Sequence, residues 1–458
     1  MATAELGDPA QAPIQSFDDL LQIFHESQQP VERWLIGAEA EKFGVDARTG
    51  EPISYDGERG VLRVLDALAT EFDYTAGRES ADGPIISLTR GSASVTLEPG
   101  AQLELSGSPL ADVHAVCAEV RGHLSELARI SADMNLVWLG LGFHPFARQA
   151  DLPWVPKQRY AIMREYLPTR GRRGVDMMRR TATVQANFDY SDEQDAMRKL
   201  GVSLRIGPIV NALFANSPFF EGKLAGKVSE RGAVWLEMDP ERSGMILDLA
   251  KKPRATYADY AEWALDAGMF FFKRNGQIVP NTGQTFRSFM RDGFQGERAT
   301  LGDWQFHLNT LFPDARLKRT LEVRTCDSLP TRFVTGVPAL FTGLLYDEQA
   351  LAEAEDLSFS FDLEALMHAR VDLVTHGIRA EVGGRPVRAL AEQLVEIARG
   401  GLSRRHKLDD QGRDETIHLQ PISELLERGL MPADLLTEGL SSATPAELMA
   451  AVLERGRV

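Results

Sequence analysis

Apolar and polar positions change period several times along the chain, and each change predicts an element. "SFDDLLQIFHES" (16–27) has helical spacing, with Ser16 and Asp19 placed as a capping box. "IGAEAEKFGVD" (36–46) alternates as a strand. "RGVLRVLDALATEF" (59–72) returns to helical spacing, and "DGPIISLTRGSASVTLEPGAQLELSG" (82–107) alternates with glycines at its turns, so it reads as antiparallel strands. "LADVHAVCAEVRGHLSELARISADM" (110–134) is a long amphipathic helix with Cys117 on its apolar side. "RTATVQANFDY" (180–190) and "ARLKRTLEVRTCD" (315–327) alternate, residues 192–217 read as helix, and the chain beyond about residue 350 is mainly helical. Strands that return between helices with hairpin-like turns indicate an α+β fold with a mainly antiparallel sheet. Residues 1–15 read as a mobile tail, 16–458 as a single domain, and 351–458 as its mainly helical C-terminal portion.

Successive strand residues point to opposite faces, so parity sorts each strand into two sides. Glu39 and Glu41 share a face. Glu98, Gln102, Glu104 and Ser106 share one, with Leu97, Leu103 and Leu105 opposite. Thr181, Thr183, Gln185, Asn187 and Asp189 stand against Ala182, Val184, Ala186 and Phe188. Arg316, Lys318, Glu322 and Arg324 stand against Leu317, Leu321 and Val323. A water-facing sheet surface accounts for any one of these strands taken alone. Clustered glutamates, however, repel across neighbouring strands unless a cation separates them. Carboxylates, amides and water are the ligands of hard divalent cations, and Mg2+ is commonly completed by substrate phosphates. The faces therefore point to Mg2+ and nucleotide phosphates.

Composition narrows the choice. The formal net charge of −16 over 458 residues argues against a sequence-independent nucleic-acid binder. Two cysteines, Cys117 and Cys326, form neither a disulfide framework nor a metal cluster, and cytoplasm is the simplest compartment. No secretory leader is visible, and no apolar run of about 18 residues suggests a membrane span. The phosphate loop G-x-x-x-x-G-K-[ST] is absent: "EGKLAG" (221–226) does not fit, and "GLGF" (140–143) is only a fragment of a dinucleotide fingerprint. Phosphates are then expected on metals and arginines.

The motifs "IGAEAEKFGVD", "SVTLEPGAQLELSGSPL", "PKQRYAIMREYLP", "MMRRTATVQANFDY", "ALFANSPFFEGK", "ERSGM", "ARLKRTLEVRTCD" and "PALFTGLLYDE" resemble, in order and spacing, those of glutamate–cysteine ligase of the plant and proteobacterial type. The similarity runs from about residue 17 to the C-terminus. The resemblance implies a fold related to glutamine synthetase, with the site in a funnel lined by a curved, mostly antiparallel sheet. It implies ligation of the γ-carboxylate of L-glutamate to the amine of L-cysteine through γ-glutamyl phosphate, with ATP and Mg2+ (or Mn2+) and no nucleic-acid or membrane partner, in a monomer or homodimer. By the same resemblance, Glu39, Glu41, Glu98, Glu104 and Glu322 are metal ligands, and Gln185, Asn187, Lys318 and Arg324 face the nucleotide. Arg180, Arg242 and Arg324 are assigned to the reacting carboxylate or phosphates. Trp235, Tyr257, Tyr260 and Met269 are candidates to shape the cysteine pocket, though core packing is the commoner role of such residues.

Several positions stay open. Regular alternation would turn Arg180 away from Gln185. His307 fits a packed histidine better than a base. Lys157, Arg159 and Tyr160 are candidates to close over the ligand, and "SRRHK" (403–407) reads as a solvated basic face. The plant enzymes' cysteine-based redox control is not carried over to a chain with two thiols. Two alternatives remain: a relative that keeps ATP and glutamate but uses another amine, and a non-catalytic relative. Retention of the five glutamates argues against the second.

Overall fold

The computed structural model describes residues 12–80 and 82–458; most of the expected N-terminal tail, residues 1–11, lies outside them. Residues 12–14 run against 299–301, with Ile14 N donating to Ala299 O and Leu301 N to Ala12 O.

One nine-stranded sheet organises the chain. Its strands are β1 (Ile36–Asp46), β2 (Thr75–Gly77), β3 (Ser87–Arg90), β4 (Ala93–Leu97), β5 (Leu103–Ser106), β6 (Leu136–Leu139), β7 (Thr183–Phe188), β8 (Ala315–Leu317) and β9 (Leu321–Asp327). They lie in the order β8-β9-β7-β1-β5-β4-β3-β2, with β6 pairing the far half of β1. All neighbouring pairs are antiparallel. The sheet is mixed with helices and does not close into a barrel, in keeping with the α+β expectation. The stretch 315–327 is a hairpin rather than one strand. Parity survives because directly opposed residues, such as Arg316 and Glu322, share a face.

The helices used below are α1 (Asp18–His25), α2 (Val61–Glu71), α3 (Val113–Met134), α4 (Gln158–Tyr166), α5 (Gly174–Arg180), α6 (Glu193–Leu213), α7 (Glu230–Trp235), α8 (Gly336–Leu345) and α9 (Val387–Arg405). At α1 half of the expected capping box forms. Asp19 accepts from Gln15 N and Ser16 N, while Ser16 gives no side-chain cap. Asp112 caps α3 by accepting from Ala115 N, and Asn135 in the left-handed region ends it.

The apolar parity of the strands is the core. Ala38, Ala40, Val95, Leu97, Leu103, Leu105, Val184, Ala186 and Phe188 are buried, with α3 and α8 packed on β1, α8 on β7 and α6 on β9. Every residue of α8 is buried, which suits a helix apolar on all sides. Helices α8 and α9 cross at bare backbone. A Cβ on Gly343 would lie 2.2 Å from Ala398 O, and one on Gly401 would lie 1.9 Å from Gly343 O. Gly401→Ala is therefore expected to lose about 1–3 kcal/mol in urea unfolding. Gly122→Ala on α3, where an added Cβ meets nothing within 4 Å, should gain up to about 1 kcal/mol. Equal effects at the two positions would contradict this helix crossing.

Candidate active site

Register places the polar faces of the strands side by side. Glu41 lies opposite Glu104, and Thr96 lies beyond Glu104. Glu39 lies between Gln185 and Ser106, and Asn187 is paired with Glu322. The result is a trough with acids at one end, cations at the other and amides between.

The acidic end holds Glu41 on β1, Glu104 on β5 and Glu98 in the β4–β5 turn, where Ala101 takes φ 67. Burial, then Glu98 and Glu104, holds the Glu41 carboxyl well above its ordinary pKa, against a pull from Arg231 and Arg324. Burial and Glu104 raise Glu98, against Lys157, Arg159 and Arg324. Glu41, Glu104 and the neighbouring Glu39 have separate donors: Thr183 N to Glu41 at 2.9 Å, Thr96 Oγ1 to Glu104 at 2.7 Å, and Asn187 Nδ2 to Glu39 at 2.9 Å. Among the described residues no three His, Cys, Asp or Glu side chains form a ready metal cage. Mutual repulsion favours this open arrangement, in which these acids turn to different donors. The all-oxygen donor set still fits Mg2+, which leaves several positions to water and phosphate.

The cationic end is built around Glu322, which is fully buried. Arg316 grips it with two hydrogen bonds, Nε to Oε2 at 2.8 Å and Nη2 to Oε1 at 2.9 Å. Lys318 Nζ lies 2.7 Å from Oε2, and Arg324 Nη1 donates to Oε1. Burial alone would raise the Glu322 carboxyl; Arg316, Lys318 and Arg324 outweigh it and hold the carboxyl well below its ordinary range. Burial and Arg316 lower Lys318 to about 8. Glu322 thus stands as the counter-ion of three cations, apart from the mutual repulsion of Glu41, Glu98 and Glu104. Arg324 also donates to Gln185 Oε1 at 2.6 Å, which aims it at the acidic end. A bulge in β9 makes this possible: Val323 pairs with Ala186 and Cys326 with Val184, so one extra residue lies between them. The bulge returns Cys326 to the core, where burial pushes its thiol up to about 12.

The segment before α4 covers the β4–β5 turn. Lys157 Nζ and Tyr160 Oη each donate to Leu97 O at 2.8 Å. Burial and Arg159 lower the Lys157 amine to about 7, against Glu98 and Glu104. Beside Arg324 opens a cleft, with Asn211, Arg231, Trp235, Phe312 and Arg370 on its walls. Arg231 is the residue that sequence reasoning missed. It sits at the start of a short helix, where no alternation marks it. Its Nη1 and Nη2 donate to Thr325 O and Arg324 O. Its Nε, like Trp235 Nε1, is buried without a hydrogen-bond partner among the described residues.

The remaining candidates are dispersed. Arg180 ends α5 before the strand begins, so the parity objection does not apply to it. Its guanidinium lies over Phe143 and Phe220 at 4.5 and 4.7 Å and contacts Asp176 and Glu221. Its Nε and Nη2 are buried without partners among the described residues. Arg242 is committed to structure: Nε bonds Asp239 at 2.9 Å, Nη1 bonds Thr310 O at 3.0 Å and Nη2 bonds Gly268 O. Tyr257, Tyr260 and Met269 belong to the core rather than to a cleft wall. Tyr260 Oη accepts from Leu317 N, Tyr257 Oη accepts from Gln28 and Met269 Sδ accepts from Asn281. His307 donates from Nε2 to Ala264 O at 2.8 Å, and burial lowers it to about 3.

Comparison with known proteins gives concordant matches. The sequence model of Glutamate-cysteine ligase family 2 (GCS2) matches residues 35–450. Glutamate–cysteine ligase B, chloroplastic, of Oryza sativa subsp. japonica is 40% identical over 422 residues, covering 92% of this chain and 83% of the relative. The chloroplastic glutamate–cysteine ligase of Brassica juncea is 39% identical over 424 residues, covering 92% and 80%. Among solved structures, a glutamate–cysteine ligase from Francisella tularensis in complex with AMP aligns with a TM-score of 0.57. At 13% identity, over 92% of this chain and 87% of that one, it shows likeness of fold.

Proposed function

The chain belongs to glutamate-cysteine ligase family 2, and from that premise we propose how its trough performs the family's reaction: ATP-dependent joining of the γ-carboxylate of L-glutamate to the amine of L-cysteine. The observation that carries this reading is the juxtaposition, on one sheet face, of the acids Glu41, Glu98 and Glu104 with the guanidiniums of Arg324 and Arg231. A carboxylate is a poor acyl donor, so it is first phosphorylated, and the amine then displaces phosphate. Glu41, Glu98 and Glu104 are the residues that would hold Mg2+, with Glu39 beside them. The ion, when bound, supplies positive charge to the phosphoryl oxygens. Arg324 and Lys318 face the phosphates, and Glu322 fixes both in place. Gln185 orients Arg324, and Asn187 orients Glu39.

The cleft with Trp235 and Arg231 receives the amino-acid substrates. The unpartnered nitrogens of Arg180 support its holding a carboxylate, whereas Arg242 acts by fixing the segment around it. Tyr257, Tyr260 and Met269 support the site from the core. Little covalent work falls to the protein; positioning and fixed charge carry the rate.

Among the described residues no helix is long and apolar enough to cross a membrane. Two free, buried thiols suit a reducing compartment and support cytoplasm, although the curated relatives are named as chloroplastic.

Hydroxylamine offered in place of cysteine should trap the acyl phosphate as γ-glutamyl hydroxamate, dependent on both ATP and glutamate. Absence of hydroxamate under conditions that support cysteine-dependent turnover would contradict the acyl-phosphate route. EDTA should abolish ADP release and excess Mg2+ should restore it; turnover that survives complete chelation would remove the metal from the reading.

A further inference from the structure

Lys42 breaks the alternation of β1. Its neighbours in parity, Ala38 and Ala40, face the core, and Lys42 is buried with them at 2% exposure. An unpaired ammonium is expensive to bury, so its surroundings are informative. Lys42 Nζ donates to Ala40 O at 2.9 Å and lies 3.4 Å from both Leu103 O and His123 Nε2. Three acceptors match the three N–H bonds of an ammonium. Facing an ammonium, His123 on α3 accepts at Nε2, which places its proton on Nδ1. That atom is buried without a partner among the described residues. Burial, then Lys42, holds this ring well below its ordinary pKa, so it is neutral and able to accept.

Register gives the cluster its meaning. Lys42 lies opposite Leu103, and the adjoining rung is Glu41 opposite Glu104. The two carbonyls that the amine reaches, Ala40 and Leu103, flank that rung on the two strands. The ammonium therefore lies directly behind the pair of carboxylates, on the other face of the sheet and shielded from water by Leu105, Val120 and Leu124 around a small cavity. Charge in so dry a place is poorly screened.

We propose that Lys42, seated on His123 and the carbonyls of Ala40 and Leu103, is a positioning residue that serves as a fixed internal counter-charge to the Glu41–Glu104 rung, offsetting its repulsion and weakening its hold on a divalent cation so that the ion can be released. The proposal rests on the metal reading of these glutamates. A residue that served packing alone would leave metal affinity unchanged, or reduce it, when replaced.

The test is Mn2+ binding to the full chain without substrates, followed by electron paramagnetic resonance. Lys42→Met and Lys42→Gln both remove the charge, and glutamine keeps N–H donors for the carbonyls should methionine fail to fold. Either folded variant is expected to bind Mn2+ at least about fivefold more tightly. Val120→Ala, which alters the same cavity wall without changing charge, should stay within about twofold of the parent chain. Unchanged or weaker binding in the lysine variants overturns the proposal, as does an equal tightening in Val120→Ala. Failure of the parent chain to bind Mn2+ counts against the metal site itself, a result distinct from parent binding that Lys42 does not influence.

Discussion

Glu41→Gln should yield a folded protein whose turnover falls at least about a thousandfold. The two halves of this expectation have separate causes. Glutamine keeps an oxygen for the Thr183 N–H that now donates to Glu41, and it removes a charge that Glu98 and Glu104 oppose. Stability should therefore hold or rise. What is lost is one of three carboxylates able to hold the cation, and with it the charge that assembles ATP and glutamate. Initial rates of ADP release, beside a thermal melt, check both halves. A variant with near-parental rate would remove Glu41 from the metal site, and an unfolded variant would show that the carboxylate serves the fold.

Glu322→Gln should have the opposite signature, a loss of about 3–5 kcal/mol in unfolding free energy. Arg316, Lys318 and Arg324 all face this one buried carboxylate. Without its charge, three cations are left in a dry site with no counter-ion. The pH dependence follows from the lowered pKa of Glu322. Because the folded value lies below the unfolded one, the stabilisation is fully present above the ordinary carboxylate range. It fades as pH falls through the lowered folded value. Urea titrations of the parent chain and the variant should therefore differ most near neutral pH and converge in acid. A parallel offset at all pH values would contradict the ion cluster.

The contrast between these two glutamates marks what could be read from the chain before its structure. Parity correctly paired Glu41 with Glu39 and sorted Glu104 from Leu103, because one-face burial fixes strand register. It could not tell that Glu322 would be enclosed by Arg316 and Lys318, since that depends on a hairpin turn within what reads as one strand. Parity also passed over the bulge that turns Cys326 inward, whose mark in the chain is the shift of phase between Val323 and Cys326. Arg231 lies on a six-residue helix, too short for periodicity to show. Tyr257 and Tyr260 look alike from sequence whether they line a pocket or fill a core, and tertiary packing placed them in the core. Lys42 stood in plain view as a charged residue at an apolar parity position. Its significance appears only when β5 is set beside β1.

What distinguishes this trough is the coupling of ATP to the joining of glutamate and cysteine. The measurement that tests it most directly is ADP release by the purified chain with MgATP and L-glutamate, with and without L-cysteine, with the product identified by mass spectrometry. Cysteine-dependent ADP release, with γ-glutamylcysteine formed in equal amount, is the expected result. ADP release that is indifferent to cysteine, or that yields a γ-glutamyl product with another amine in preference, would contradict it.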